Sequence, residues 1–297
     1  MKFEFESVHF STHLEKAMND APLAHFSLTD FDRLLDGVRP RLTIISGEPG
    51  TGKTSLLLQM ADDLARQGIP VLFVSLEISP VQLVAKSLAR LSAGKLAVAD
   101  IATAGSKALA GNPTKEATSE TTPMALAFKC TTDIYKHTVA PHIAFVTNAD
   151  AVTIGALIAQ CEQQVGRRPV VFLDYVQALT GDATDADERL VIKGIAASLR
   201  QTVNTYEVPL FAISSVNRTS YNRPVTDLSC LGGSSAVEYS SDVVAFLAVE
   251  GKGDERRLNL AQPVRPLRLT ILKNRYGTCG EVTLQFDAEH ATFKERG

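Results

Sequence analysis

Gly47-Glu48-Pro49-Gly50-Thr51-Gly52-Lys53-Thr54 is the stretch on which the fold turns. It fits G-x-x-x-x-G-K-[ST] at every fixed position. The glycines permit backbone angles at which successive N–H groups converge on phosphate oxygens. A helix starting near Lys53 adds its positive N-terminal dipole. Lys53 is placed to reach β- and γ-phosphates, the Thr54 hydroxyl to ligate Mg²⁺, and Ser55 to close the binding run. An apolar strand, Leu42–Ser46, precedes the motif, and a helix through about Arg66 follows it, the context a phosphate cradle requires.

Outward from this point the chain alternates strand and helix. The apolar strand Val71–Leu76 is followed by a helix from about Ser79 to Leu91, with Pro80 in its first turn. Residues 93–123 are rich in Ala, Gly, Ser, Thr and Lys and read as a polar, mobile insertion with some helix, most so over about 105–123. Strands are expected at His142–Val146, Val170–Leu173 and Pro209–Ser214, with helices at about 153–165 and 187–206. Three more strands are expected near Val243–Val249, Leu267–Leu272 and Glu281–Phe286. Short, continuous apolar strands separated by helices imply an α/β fold whose mostly parallel sheet is covered on both faces. The tail, with strands and no helices between them, implies an antiparallel extension. One domain over residues 26–297 is expected.

Residues 1–25 read as an extension. Phe10, Leu14 and Met18 fall on one face at helical spacing, with Ser11 or Thr12 as a candidate N-cap. That stripe packs either on its own domain or on a neighbouring subunit.

A P-loop ATPase needs a second carboxylate to hold its metal through water, and Asp174 ends the apolar run Val170–Leu173. It also needs a group to deprotonate the attacking water. Glu77 stands directly after the strand Val71–Leu76, at the edge where ligands collect.

Composition limits the alternatives. The 297 residues are 45% hydrophobic and carry a net charge of −3, so bulk charge makes no case for nucleic acid. No apolar run reaches the ~18 residues of a membrane span, and the N-terminus lacks the apolar core of a secretion signal. A cytoplasmic protein is expected. Cys130, Cys161, Cys230 and Cys279 show neither CxxC nor metal-ligand spacing and read as reduced thiols, some of them buried.

Several motifs together resemble the C-terminal RecA-like ATPase domain of DnaB-type replicative helicases. Thr29-Asp30-Phe31-Asp32-Arg33, with Gly37 and Pro40, is similar to the segment before that family's P-loop. Phe73-Val74-Ser75-Leu76-Glu77 resembles its FSLE motif, and Leu173-Asp174-Tyr175-Val176-Gln177 its IDYLQ motif. Ser214 with Asn217-Arg218 resembles the strand end that senses the γ-phosphate. Arg223-Pro224, Asp227-Leu228, Gly233, Ala236, Glu238 and Asp242 follow its next motif. Lys273-Asn274-Arg275-Tyr276-Gly277 resembles its KxRxG segment.

The resemblance implies Glu77 as catalytic base, Asp174 as Walker B carboxylate, and Lys273 and Arg275 as cations that reach a neighbouring subunit's nucleotide. It also implies ATP and Mg²⁺, a homo-oligomeric ring of usually six subunits, single-stranded DNA in the channel, a 5'–3' direction and a replication partner protein. Three features depart from it. The family's collar domain is replaced by about 25 residues, Ser215 stands where the family has a sensor Gln, and Thr180–Glu188 is acidic where a loop approaches DNA phosphates. Two functions therefore follow: a ring-forming motor on single-stranded DNA, with Gly232-Gly233-Ser234-Ser235 offering N–H groups to phosphates, or a RecA-like ATPase without helicase activity that acts as an accessory switch on a partner protein.

Overall fold

The computed structural model describes residues 9–103, 123–179, 188–215 and 235–296. Its strands are β1 (Leu42–Gly47), β2 (Val71–Ser75), β3 (Ile143–Val146), β4 (Val170–Asp174) and β5 (Leu210–Ser214), followed by β6 (Val243–Val249), β7 (Val264–Asn274), β8 (Gly280–Asp287) and β9 (Thr292–Glu295). They form one sheet in the order β3-β2-β4-β5-β1-β6-β7-β8-β9. Pairing is parallel from β3 to β6 and antiparallel from β6 to β9.

Side chains alternate across a strand, so a sheet covered on both faces needs apolar residues at every position. The parallel strands meet that demand. Val71 and Phe73, Val170 and Phe172, and Phe211 and Ile213 enter one core. Their neighbours Leu72 and Val74, Val171 and Leu173, and Leu210 and Ala212 enter the other. The first core is closed by helices α3 (Lys53–Arg66), α4 (Pro80–Leu91) and α5 (Pro123–Thr138), and the second by α6 (Thr153–Val165) and α7 (Glu188–Tyr206). Phe73, Phe172 and Phe211 stack across adjacent strands at 6.1 and 5.3 Å, beneath the helix that carries the P-loop lysine. Helix α4 has a full capping box: Ser79 accepts from the Gln82 N–H and Gln82 accepts from that of Ser79.

The structure departs from the sequence expectations at identifiable places. Helix α5 was not foreseen. Its buried positions are Ala127, Thr131 and Tyr135, small or polar residues that leave no apolar stripe for periodicity to register. Helix α9 (Gly253–Ala261), which follows the six-residue α8 (Ser235–Ser240), buries nothing and was equally silent. The C-terminal tail holds a fourth strand, β9, too short to show a pattern, and only β7–β9 are antiparallel to their neighbours.

At the N-terminus, α1 (Phe10–Met18) starts earlier than expected, with His9 as N-cap and no side-chain cap bond. Ser11 and Thr12 therefore lie inside its first turn. The α2 helix (Thr29–Leu35) covers the segment before the P-loop. The Phe10, Leu14 and Met18 side chains are 57%, 45% and 78% exposed, so their stripe is not buried on this chain. Of the described cysteines, Cys130 and Cys279 are exposed and Cys161 is half-buried, so none of these three is a fully buried thiol.

Candidate active site

The carboxyl ends of β1, β2, β4 and β5 converge on one edge of the sheet, where ligands of open α/β folds bind. There they border a cavity of about 570 Å³ lined by P-loop residues together with Lys53, Thr54, Glu77, Asp174 and Ser215. At Gly47 a Cβ would stand 2.4 Å from the Leu247 carbonyl oxygen, so only glycine lets β1 leave beside β6. Gly52 has φ +88°, and a Cβ there would meet the Phe286 ring at 2.7 Å. Helix α3 begins at the next residue, Lys53, so its unpaired N–H groups open toward the cavity.

Lys53 Nζ donates to the Glu48 carbonyl at 2.8 Å, and Thr51 Oγ1 donates to the same oxygen at 2.8 Å. Thr54 Oγ1 donates to Asp174 Oδ2 at 2.7 Å. The Leu76 N–H donates to the Asp174 carbonyl at 2.8 Å, and Ser75 is in register with Asp174. The two strands thereby hold Glu77 and Asp174 on the same rim. Burial pushes the Lys53 ammonium below its usual pKa, while Asp174 and Glu77 pull it back up. Burial raises the Asp174 carboxyl, opposed by the Thr54 hydrogen bond and supported by Glu77. Both shifts describe charged groups drawn out of water, a setting in which a phosphate and a cation would restore balance.

Four residues of this region escaped sequence reasoning. Lys86, on α4, lines the cavity and reaches Ser55 Oγ at 3.3 Å. It is a lysine on an ordinary helix until α4 packs on α3. Arg265 donates to the Gly50 carbonyl and lies 5.9 Å from the centroid of the Phe286 ring; both line the cavity. Gln177 ties the loop after β4 to the end of β5. Its Nε2 donates to Ser214 Oγ at 2.9 Å and its Oε1 accepts from the Ser215 N–H at 3.1 Å. Ser215, which stands where the family has a sensor Gln, is thus held by a Gln from the turn after β4. Gln177 belongs to a quoted motif, the one sequence signal among the four. Glu48 forms an ion pair with Arg256 of α9, which places that helix against the P-loop.

Lys273 and Arg275 lie elsewhere. Antiparallel pairing sets Lys273 and Asn274 opposite Val244 and Val243, and Val243 pairs with Thr43 near the start of β1, whereas Gly47 pairs with Leu247. Four residues of strand, about 13 Å, separate those levels. Both cations therefore sit at the end of the sheet opposite the P-loop. Lys273 Nζ donates to the Glu238 carbonyl and, at 2.9 Å, to that of Ser241. Arg275 donates to the Tyr239 carbonyl at 2.7 Å.

Among the described residues no cluster of three His, Cys, Asp or Glu side chains suits a metal ion, and no described helix is long and apolar enough to cross a membrane. The insertion at 105–122, the acidic segment at 180–187, Cys230 and the motif residues between 217 and 234 lie outside the described residues.

The fold, with a glycine-rich turn and helix N-terminus at the carboxyl end of a central parallel strand, is that of a RecA-like P-loop core. A family model described as the DnaB-like helicase C terminal domain matches residues 25–295, and the chain belongs to that family. The replicative DNA helicase DnaB of Treponema pallidum is 27% identical over 270 residues, covering 90% of this chain and 54% of that protein. The replicative DNA helicase DnaC of Bacillus subtilis is 26% identical over 274 residues, covering 89% and 55%. The chain spans about half the length of the curated relatives it matches. A solved ATPase domain superposes with a TM-score of 0.79 over 100% of both chains at 18% identity. A solved DnaB-like replicative helicase, described with its interactions with primase, superposes with a TM-score of 0.77 at 18% identity, covering 98% of this chain and 68% of that one. These likenesses bear on the fold.

Proposed function

We propose that this chain is the ATP-hydrolysing motor domain of a ring-forming helicase that moves on single-stranded DNA. The observation that carries the reading is the division of charged groups between two ends of one sheet. A phosphate cradle with Glu77 and Asp174 lies at one end, and Lys273 with Arg275 lies too far away to serve it. Such cations gain a nucleotide only when a neighbouring copy brings its P-loop to them.

The residues fit ATP and Mg²⁺. The cradle stays open because Gly52 has no Cβ, and the Thr54 hydroxyl and Asp174 carboxylate already meet at hydrogen-bond distance. Lys53 exchanges the Glu48 carbonyl for phosphate oxygens. Thr54 and Asp174 would hold Mg²⁺, which when bound would offset the negative charge of the phosphates. Glu77 orients the attacking water and accepts its proton. Gly47 to Ser55 contribute N–H groups and hydroxyls, and Arg275 of the next protomer faces the charge that develops on the transferring phosphoryl group.

Residues 1–25 are proposed as an extension outside the ATPase domain, 26–297. The exposed stripe of Phe10, Leu14 and Met18 supports docking on an adjacent subunit. The names of the relatives support a role in DNA replication, and the primase interaction of the solved helicase supports a replication partner; a hexameric ring and a cytoplasmic setting are proposed from the family resemblance.

The test is ATP turnover with and without single-stranded DNA, beside particle imaging with a non-hydrolysable ATP analogue. A ring whose turnover rises with DNA supports the reading. A ring that hydrolyses ATP at one rate regardless of DNA would replace it with the accessory switch.

A further inference from the structure

Asp242 is one of the motif residues to which the function above gives no task. It lies in the turn between α8 and β6 and is 1% exposed. Its Oδ2 accepts from the Leu42 N–H at 2.9 Å, at the first residue of β1, and from Arg200 of α7. Its Oδ1 lies 3.5 Å from Arg275 Nη1, and its carbonyl accepts the Arg275 N–H at 3.0 Å. The buried Asp242 carboxylate thus fastens the start of the P-loop strand, the helix on the opposite face and the Arg275 side chain, while the Asp242 carbonyl holds the Arg275 backbone.

We propose that Asp242 is the positioning residue that aims Arg275 at the neighbouring protomer's nucleotide. The inference rests on the reading of Arg275 as a residue that acts across a subunit interface. A guanidinium has five N–H donors in a rigid fork. Here the contacts to Asp242 and to the Tyr239 carbonyl orient the fork, while 40% of the side chain stays exposed. The remaining donors are available to a ligand from outside the chain. Lys273 is fixed in the same way, by the Glu238 and Ser241 carbonyls at the C-terminal end of α8, where cations complement the helix dipole. The segment from Glu238 to Asp242 is therefore a mount for both cations. Stability alone does not account for it, because a buried ion pair is often no more stabilising than apolar packing. What the arrangement provides is direction: a flexible arginine side chain is held to a narrow set of orientations before any partner arrives.

The test is subunit mixing with Asp242→Asn, which keeps the shape and removes the charge. Alone, the variant should bind ATP with unchanged affinity and lose about 10²-fold in turnover, the scale of a misplaced reacting group. Mixed with Lys53→Ala it should regain turnover, since some interfaces join an intact P-loop to an intact Asp242–Arg275 pair. Mixed with Arg275→Ala it should regain none, because both defects fall on the same side of the interface. A fold defect would not sort in this way. If Asp242→Asn fails to fold, Asp242→Asn with Arg200→Met removes the charge pair together and takes its place.

Recovery with Arg275→Ala, or none with Lys53→Ala, overturns the role of Asp242, provided that Arg275→Ala and Lys53→Ala complement each other. If those two fail to complement, the reading of Arg275 across the interface falls, and the role of Asp242 with it.

Discussion

The two ends of the central sheet differ in how complete they are. At the P-loop end the described residues supply a full set: a cradle, a lysine, a hydroxyl–carboxylate pair and a second carboxylate around one cavity. At the opposite end Lys273 and Arg275 rest on carbonyls and a carboxylate of their own chain, with no phosphate cradle nearby among the described residues. The first end can be understood from one chain. The second is the end proposed to act across an interface, because strand register sets it about 13 Å or more from its own P-loop.

The contrast can be broken most directly at Arg275. Arg275→Ala should lower kcat by about 10³-fold or more, the range of arginine fingers, and leave nucleotide affinity within a few-fold. Titration of a labelled nucleotide beside steady-state turnover separates the two. A large loss of affinity would mean that Arg275 belongs to the binding end after all.

Glu77→Gln should cost about 10²-fold in kcat with affinity preserved, since the amide keeps the size of the base and cannot take a proton. Normal turnover in that variant would remove Glu77 from the chemistry and pass the role of base to another group.

Gly52→Ala should act at the same end but on binding. The free loop of the variant relaxes out of its positive φ, and re-adopting it on binding costs about 1–2 kcal/mol, or roughly 10-fold in affinity; the added methyl meets the Phe286 ring besides. Isothermal titration with an ATP analogue measures it. An unchanged dissociation constant would show that the turn is looser than its geometry implies.

Much of the P-loop end was legible in the sequence because its parts are contiguous. Gly47 to Thr54 is one run, and Glu77 and Asp174 each end an apolar strand whose position follows from composition. The alternation that places Phe73 and Phe172 in one core and Leu72 and Val74 in the other needs only the two-residue period of a strand. Lys86, Arg265, Phe286 and the Gln177 bridge were not legible, because each depends on which helix or strand lies beside which. Nothing near Lys86 in the chain announces that α4 will bring it to Ser55.

Short runs of residues already specify the glycine-rich cradle, the class of fold and the residue types at both ends of the sheet. Those properties reside in local runs, where backbone freedom, strand period and side-chain type are set within a few positions. That Lys273 and Arg275 lie at the end of the sheet away from their own P-loop, and that Asp242 holds Arg275, emerges from the packing of distant segments. Antiparallel pairing of β7 with β6, over a connection that includes a helix with nothing buried, sets that direction. The tail's run of strands implied antiparallel pairing, but the register that sets Lys273 opposite Val244 is a long-range choice made by packing.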